Sequence, residues 1–150
     1  MNLALENVKI RILDNRLGRD WPLPKYETEG SAGLDLRACL EKPFVLAPKQ
    51  QVLVSSGLAF FIDNSQYCGK ILPRSGLGHK HGIILGNGTG LIDADYQGPL
   101  MMSLWNRSDQ DYTIAPGDRI AQLIFVPVAR PALEIVDDFD ETARGSGGFG

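Results

Sequence analysis

Short apolar segments, separated by turn-forming residues, make up most of the chain. The 150 residues include 17 glycines and 9 prolines, which recur too often to leave room for a long amphipathic helix. Several segments alternate apolar and polar positions with a period of two, and they recur at intervals of roughly 8 to 12 residues. We therefore predict an all-β sandwich or barrel with at most one short helix. The segments are VKIRIL, LDLRACL, QQVLVSSGLAFFI, GKILP, LMMSLWN, RIAQLIFVPV and ALEIV.

The residues around these segments predict particular local structures. WNRSDQDYTI is typical of two strands joined by a polar turn, and APGDRI of a Pro-Gly turn that leads into a further strand. SGLGHKHGI is expected to contain one turn of helix. In LDLR, strand alternation would bury Leu34 and Leu36 and place Asp35 and Arg37 together on the opposite face.

Composition favours a single cytoplasmic domain. A chain of this length, 43% hydrophobic, can bury one core. A net charge of -3 provides no basic surface for a nucleic acid or an anionic membrane, and no apolar run approaches the roughly 20 residues of a membrane span. The first residues, MNLALENVKIRIL, lack the basic start and apolar run of a signal peptide. We expect no nucleic-acid partner and no membrane association.

The cysteines and histidines give no strong indication of a metal site. Cys39 and Cys68 are far apart in the sequence, without neighbours at metal-ligand spacing, so we interpret both as small buried apolar residues. His79 and His81 have the spacing to share a metal, but no third ligand stands near them. A structural or solvent-facing role is the simpler interpretation for both histidines.

Two stretches place charged groups beside tight turns. In GSAGLDLRA, Asp35 and Arg37 form a plain solvated ion pair on the simplest interpretation. In PRSGLGHKHG, residues Arg74, Ser75 and Gly76 could present a guanidinium, a hydroxyl and backbone N–H groups to one anion. An ordinary strand-to-helix turn explains the same residues equally well, so the sequence leaves both interpretations open.

Two further stretches contain polar residues that a plain β fold does not require. In GNGTGLIDADYQG, an extended chain would point Asp93 and Asp95 to the same side, where two carboxylates raise the pKa of one or attract a cation. A hairpin with its turn residues is the alternative. In PGDRIAQLIF, a turn and a strand explain everything except Arg119 and Gln122. The glycine-rich end VDDFDETARGSGGFG cannot form a core of its own.

Taken in order, SAGLDLRA, PRSGLG, GNGTGLIDADYQG, PGDRIAQLIF and RGSGGFG resemble the five motifs of the trimeric dUTPase family, most closely its bacterial members. The resemblance covers essentially the whole chain. It implies a distorted jelly-roll or β-clip barrel, assembled as a homotrimer with active sites at the subunit interfaces. It also implies hydrolysis of dUTP to dUMP and pyrophosphate, with Mg²⁺ as the cofactor. That reaction limits uracil incorporation into DNA and supplies dUMP for thymidylate synthesis.

The resemblance assigns the catalytic step and the nucleoside contacts to the third motif. Asp93 would be the general base that activates a water for attack on the α-phosphorus. Asn87 would read the uracil edge, because an amide offers both a donor and an acceptor. Tyr96 would pack against the deoxyribose and exclude a ribose 2′-hydroxyl. The main chain of three further residues would complete the base pocket: Leu91, Ile92 and Met101.

The resemblance assigns phosphate and metal contacts to the other motifs. Arg74, Ser75 and Gly76 match the phosphate-binding loop, and Gln122 matches a further phosphate contact. Asp35 matches a position linked to Mg²⁺ through water, while the ion is held mainly by the phosphates. Residues 1–143 would form the barrel. Residues 144–150 would be a flexible arm that closes over the site, with Phe149 stacked on uracil and Arg144 on the phosphates.

Two other functions are compatible with the same fold. A dCTP deaminase shares the fold and the trimer, but the intact GLIDADYQG motif and the terminal phenylalanine favour dUTP hydrolysis. A non-catalytic trimeric β module would have lost the site, whereas every matched functional residue from Asp35 to Phe149 is present.

Overall fold

The computed structural model describes residues 4–150, which contain ten β-strands and one short helical turn. The prediction of an all-β fold with at most one short helix is therefore confirmed. The π-helical turn, Leu77–His81, lies in the segment for which a helical turn was expected. The strands are β1 (Lys9–Ile12), β2 (Leu34–Arg37), β3 (Phe44–Leu46), β4 (Gln51–Phe61), β5 (Tyr67–Leu72), β6 (Ile83–Leu85), β7 (Gly90–Ile92), β8 (Pro99–Asn106), β9 (Tyr112–Ile114) and β10 (Arg119–Pro127).

The strands form two four-stranded sheets and one two-stranded sheet, and all strand pairs are antiparallel. One sheet has the order β1-β4-β8-β6, the second has the order β2-β10-β5-β7, and β3 pairs with β9. Many neighbours in these sheets are distant in sequence, as in a jelly roll. β10, the last strand, lies between β2 and β5 and so joins the beginning of the chain to its middle.

The core lies between the two large sheets and is built from alternating positions. In β8 the inward side chains Leu100, Met102 and Leu104 are almost completely buried, and the residues between them are partly exposed. In β2, Leu34 and Leu36 are buried and their polar neighbours are not, which confirms the alternation predicted for LDLR. Each such leucine contributes about 1.5–3 kcal/mol to folding, so the alternation fixes which face of each strand is available to a ligand.

A β-bulge in β4 interrupts its pairing with β8 and anchors the loop after β1. The pairing of β4 with β8 shifts register between Ser55 and Ala59, and Gly57 within the bulge has φ +71°. A Cβ on Gly57 would lie 2.6 Å from the Cys39 sulfur, so glycine is required for both conformation and space. The Gly57 carbonyl accepts hydrogen bonds from the backbone N–H groups of Leu13 and Asp14 and so anchors the loop after β1.

Arg16 ties this loop to the turn that precedes β10. Its guanidinium donates to Asp14 at 2.6 Å and to the Leu40 carbonyl at 2.8 Å, and it stacks over the Trp21 ring at 4.7 Å. The Trp21 indole in turn covers Gly117, where it leaves no space for a Cβ. The loop therefore fixes the Pro-Gly turn from which β10 begins.

Several local predictions need correction. ALEIV was predicted as a strand segment, but residues 132–136 are exposed and contain no strand. WNRSDQDYTI does contain two strands and a turn, yet β8 and β9 do not pair with each other. Strands β3, β6 and β7 went unpredicted, because three residues are too few to show a period.

The cysteines and histidines agree largely with the sequence interpretation. Cys68 is buried, whereas Cys39 is only partly buried, and both are free thiols. His79 and His81 are exposed, and the His81 ring packs against Tyr112 at 5.1 Å. Within residues 4–150, no three side chains of the metal-binding type come together, and no helix has the length and hydropathy to cross a membrane.

We predict that Asn106→Asp destabilises the fold by about 3 kcal/mol. Asn106 is completely buried; its Nδ2 donates to the Leu46 and Gln110 carbonyls, and its Oδ1 accepts from Ser108. Aspartate keeps the acceptor but turns a buried oxygen toward two carbonyls. Urea unfolding at one protein concentration measures the change. The matched control is Asn64→Asp, because Asn64 uses only its acceptor oxygen; equal effects of the two substitutions would contradict the argument.

We predict that Asp14→Asn lowers stability at neutral pH and that the difference from wild type disappears in acid. The hydrogen bond from Arg16 lowers the pKa of Asp14 from 3.8 to about 2. Since the folded pKa is the lower one, this stabilisation is complete above pH 4 and is lost as the pH falls toward 2. Urea midpoints from pH 7 to pH 2 test this. Asp109→Asn, at a side chain 93% exposed, is the control and should show no such convergence.

Candidate active site

Three neighbouring strands bring a set of polar side chains to one face of the second sheet. In the antiparallel register, Gln122 of β10 lies opposite Asp35 of β2 on one side and opposite Leu72 of β5 on the other. Because Leu34 and Leu36 point into the core, Asp35 points outward, on the same face as Gln122. Arg74 follows directly on the end of β5. Residues from three distant parts of the sequence thus meet at one place.

An arginine cluster, which we define as Asp35, Arg74 and Arg119, is the most strongly charged part of this face. Arg74 Nε donates to Asp35 Oδ1 at 3.0 Å, and Arg119 Nη1 donates to Asp35 Oδ2 at 3.3 Å. Arg74 Nη1 also donates to the Arg119 carbonyl at 3.3 Å. The Asp35 carboxylate is only 20% exposed, so these ion pairs are less screened than surface pairs. Two guanidiniums around one carboxylate leave a net positive charge, which suits an anionic ligand.

The structure alters the sequence interpretation of this region. Asp35 does not pair with Arg37 as the simplest interpretation had it, because Arg37 donates instead to the Gly117 carbonyl at 2.9 Å. Arg119 was noted as unexplained by a turn and a strand but was not assigned to the site. Its position at the start of an outward-facing strand was the only sequence signal, because its partner Asp35 is 84 residues away.

Gln122 and the residues after Arg74 complete the phosphate-type surface. Gln122 Nε2 donates to the Pro73 carbonyl at 2.9 Å, and its Oε1 lies so close to Gly33 that a Cβ there would be 2.9 Å away. Ser75 and Gly76 are exposed at the start of the helical turn, which no side chain caps. The turn is held by a bond from the Gly78 N–H to the Arg74 carbonyl at 2.9 Å.

Residues 86–98, which we call the acidic segment, form a second polar region. Asn87 is exposed in the loop between β6 and β7, followed by Gly88 with φ +76°. Leu91 on β7 is 63% exposed, while Ile92 packs against Gly69 of β5. β7 is an edge strand, paired only with β5, so its outer side is open. Both residue 87 and the β7 main chain are therefore accessible to a ligand.

The chain turns sharply after β7. The Tyr96 N–H donates to the Asp93 carbonyl at 3.2 Å, which closes a turn over residues 93–96. The expectation that Asp93 and Asp95 share one side of an extended strand is therefore wrong, since this segment is not extended. Both side chains are exposed, and both line a cleft of about 380 Å³ whose other walls come from residues 65–68 and 128–130.

Tyr96 and Met101 lie on the far side of this turn. The Tyr96 hydroxyl donates to the Pro99 carbonyl at 2.8 Å, which orients the ring, and the residue remains 42% exposed. A Cβ on Gly98 would lie 2.6 Å from the Tyr96 oxygen, so glycine allows the ring to fold back. Met101 is partly buried on β8, opposite Ser55.

Asp93 lies at the opposite end of β5 from Arg74. Ile92 pairs with Gly69, which places Asp93 beside Cys68, and both residues line the same cleft. Arg74 is six residues further along the chain than Cys68, two residues beyond the end of β5, and six residues of extended chain at roughly 3.3 Å each correspond to about 20 Å. In one chain, the arginine cluster and Asp93 therefore face different regions.

The last residues extend away from both regions. Leu133, Ile135 and Phe139 are 86–98% exposed, and Phe149 is fully exposed. Arg144 Nε donates to the Gly147 carbonyl at 2.7 Å within a local turn. No strand is formed after Pro127 in the part of the chain that the structure describes. The apolar side chains of this segment consequently have no surface to pack against within the chain.

The fold and the site together define an all-β protein with an open edge strand and a cationic surface suited to phosphate groups. Comparison with known families narrows this class, because the family model for dUTPase matches residues 19–150. The chain belongs to the dUTPase family. Its members hydrolyse dUTP to dUMP and pyrophosphate, and this chain is accordingly a dUTP diphosphatase.

Curated relatives and solved structures agree with this assignment. The deoxyuridine 5′-triphosphate nucleotidohydrolase of Xanthomonas campestris pv. campestris (strain B100) is 59% identical over 145 residues, covering 97% of this chain and 95% of the relative. That of Xylella fastidiosa (strain M12) is 58% identical over 150 residues, covering 100% and 97%. A mutant dUTPase of phage 80alpha superposes with a TM-score of 0.83 at 25% identity, covering 98% of this chain and 99% of the other. The predicted family and the jelly-roll fold are thus confirmed.

Proposed function

We propose that Arg74 and Gln122 bind the phosphates of dUTP and that Asp93 activates the water that attacks the α-phosphorus. The observation that carries this proposal is the convergence of Asp35 on β2, Gln122 on β10 and Arg74 just after β5. Arg74 supplies the charge and Gln122 an amide donor for phosphate oxygens. Ser75 and Gly76, exposed beside Arg74, add a hydroxyl and backbone N–H groups.

The acidic segment would bind the nucleoside. Asn87 offers a donor and an acceptor that match the O4 and N3–H of uracil, and cytosine reverses that pattern. The main chain of Leu91, Ile92 and Met101 would close the base pocket against a thymine methyl group. The Tyr96 ring, held by Pro99, would lie against the deoxyribose, where a 2′-hydroxyl would collide with it.

Hydrolysis follows from these positions. Asp93 accepts a proton from a water molecule as the water oxygen bonds to the α-phosphorus. The bond from the α-phosphorus to the oxygen that bridges to the β-phosphate breaks, and that oxygen leaves with the electron pair in pyrophosphate. The Ser75 hydroxyl would donate to this bridging oxygen, where negative charge develops.

We further infer that a complete site needs more than one chain and that the protein is a homotrimer. Asp93 and Arg74 of one chain lie at opposite ends of β5. Asp93 of one subunit would therefore meet Arg74 of a neighbouring subunit. The exposed apolar residues of the segment after β10, including Leu133 and Ile135, would pack on that neighbour. Assembly around the site thus accounts for both observations.

Mg²⁺ fits this site as an ion carried by the nucleotide. Within residues 4–150, no cluster of side chains could hold a metal alone, and Asp35 is the one carboxylate in the arginine cluster. Mg²⁺ is commonly bound by one or two carboxylates together with substrate phosphates and water. Asp35 would hold the hydrated ion, which when bound neutralises phosphate charge. In one solved relative, the dUTPase of phage phi11 of S. aureus, the ion is described as a structural Mg(II).

Residues 144–150 would act as an arm that closes over the nucleotide. Phe149, fully exposed in the free chain, would stack on the uracil, and Arg144 would reach the phosphates. The glycines between them leave the free arm many conformations, so only a filled site offsets the entropy of closure. Water exclusion follows from closure. A cytoplasmic location fits the two free thiols, Cys39 and Cys68.

A nucleotide panel tests the specificity. Pyrophosphate release is measured with dUTP, dTTP, dCTP and UTP, each with and without Mg²⁺. Of the four nucleotides, only dUTP should release pyrophosphate. The release should be faster with Mg²⁺ than without it. Ammonia released from dCTP would point instead to a deaminase.

We predict that Asp93→Asn lowers kcat by at least about 100-fold, since general-base catalysis contributes about 10²–10⁴. The amide keeps the size of the side chain, so the variant should still bind the non-hydrolysable imido analogue of dUTP. Calorimetry measures this binding. Asp95→Asn is the matched control, because it lies in the same turn and lines the same cleft. A variant that released pyrophosphate at the wild-type rate would remove Asp93 from the mechanism.

We predict that deleting residues 144–150 lowers kcat/KM for dUTP by at least about tenfold, because the open site admits water and loses the base stack. Phe149→Ala should show part of the same loss. Sedimentation should give the same oligomer for both variants, since residues 144–150 are exposed and their hydrogen bonds are local. An unchanged rate after deletion would show that the arm is dispensable.

A further inference from the structure

Arg119 contacts the site although the proposed reaction gives it no role. It is the first residue of β10, and its side chain is held at 3.3 Å from Asp35 Oδ2. Its carbonyl simultaneously accepts a hydrogen bond from Arg74 Nη1. Arg119 therefore contacts both other members of the arginine cluster, one through its side chain and the other through its main chain.

The way Asp35 is shared decides how much of Arg74 is available to a phosphate. A lone carboxylate and an arginine commonly form two parallel hydrogen bonds, which would occupy one edge of the guanidinium. Here Asp35 gives only Oδ1 to Arg74, because Oδ2 is bonded to Arg119. Within residues 4–150, Arg74 Nη2 consequently forms no hydrogen bond. That nitrogen, on a side chain 31% exposed, is left for an incoming anion.

We propose that Arg119 is a positioning residue, which holds Asp35 in a one-bond contact with Arg74 and so keeps the free edge of the Arg74 guanidinium directed at the phosphates. This inference rests on the proposed role of Arg74 in phosphate binding. Arg119 acts through Asp35 and does not itself touch the nucleotide. Without Arg119, both oxygens of Asp35 would turn to Arg74 and compete with the phosphates.

The first experiment measures binding and turnover separately. Arg119→Met removes the guanidinium and keeps most of the stem. We expect KM for dUTP and the Kd of its imido analogue to rise about 3- to 10-fold, with kcat changed less than about twofold. Arg119→Lys, which retains a donor for Oδ2, should recover part of the affinity. Urea midpoints establish that each variant is folded.

The control separates this contact from the loss of one positive charge. Lys70 of β5 lies opposite Ile124 and on the same face as Gln122, and it makes no ion pair within residues 4–150. Lys70→Met therefore removes a cation from the same face without touching Asp35 or Arg74. We expect it to weaken analogue binding clearly less than Arg119→Met does.

A double-mutant cycle gives the decisive result. In an Asp35→Asn background, the side chain at position 35 already competes less with the phosphates for Arg74. Arg119→Met should therefore weaken analogue binding in that background no more than Lys70→Met does. An equal loss of affinity from Arg119→Met in both backgrounds would overturn the inference and indicate that Arg119 binds phosphate directly. The inference would also be overturned if Arg119→Met caused no loss of analogue affinity in either the wild-type or the Asp35→Asn background. Failure of the proposed phosphate role would show differently, as an Arg74→Met variant with unchanged analogue affinity.

Discussion

The position of β10 between β2 and β5 is the constraint on which the site depends. Its register sets Gln122 beside Asp35 and at the end of β5, and it also brings Arg119 to the same carboxylate. Because side chains alternate with a period of two, a slip of one residue would send Gln122 into the core and a leucine to the surface. Two glycines protect this register: Gly33 leaves room for the Gln122 amide, and Gly117 lies under Trp21 at the turn before β10.

The same arrangement is the basis of the proposal that more than one chain builds the site. A four-stranded sheet holds the arginine cluster at one end of β5 and Asp93 at the other, and no local rearrangement of a paired strand shortens that distance. The segment after β10 also exposes the apolar side chains of Leu133, Ile135 and Phe139, which no surface of the same chain covers. In a homotrimer, burial of that segment would stabilise the fold and the assembly together, so the stability of the protein would depend on its concentration.

The sequence predicted the features that are local and missed those that arise from long-range pairing. The alternation of Leu34 and Leu36, and the helical turn after Arg74, follow from neighbouring residues. The contact between Asp35 and Arg119 spans 84 residues and has no local signature. The turn after Asp93 was missed because period-two alternation was extended past the end of a three-residue strand. The roles of the single residues came from resemblance to a family, whereas the structure supplied the neighbours through which they act.

On the proposed assembly, a site divided in this way would make assembly part of catalysis. The arginine cluster attracts an anion without help from Asp93, and the acidic segment carries two carboxylates that repel one. Phosphates would therefore be drawn to one subunit and the reacting water to the next, and the two would meet only where the subunits join. Separation within the chain also keeps Asp93 from pairing with Arg74, a contact that would neutralise both. On the proposed trimer, the distance along β5 that a single chain cannot close is what leaves each charge available for the nucleotide.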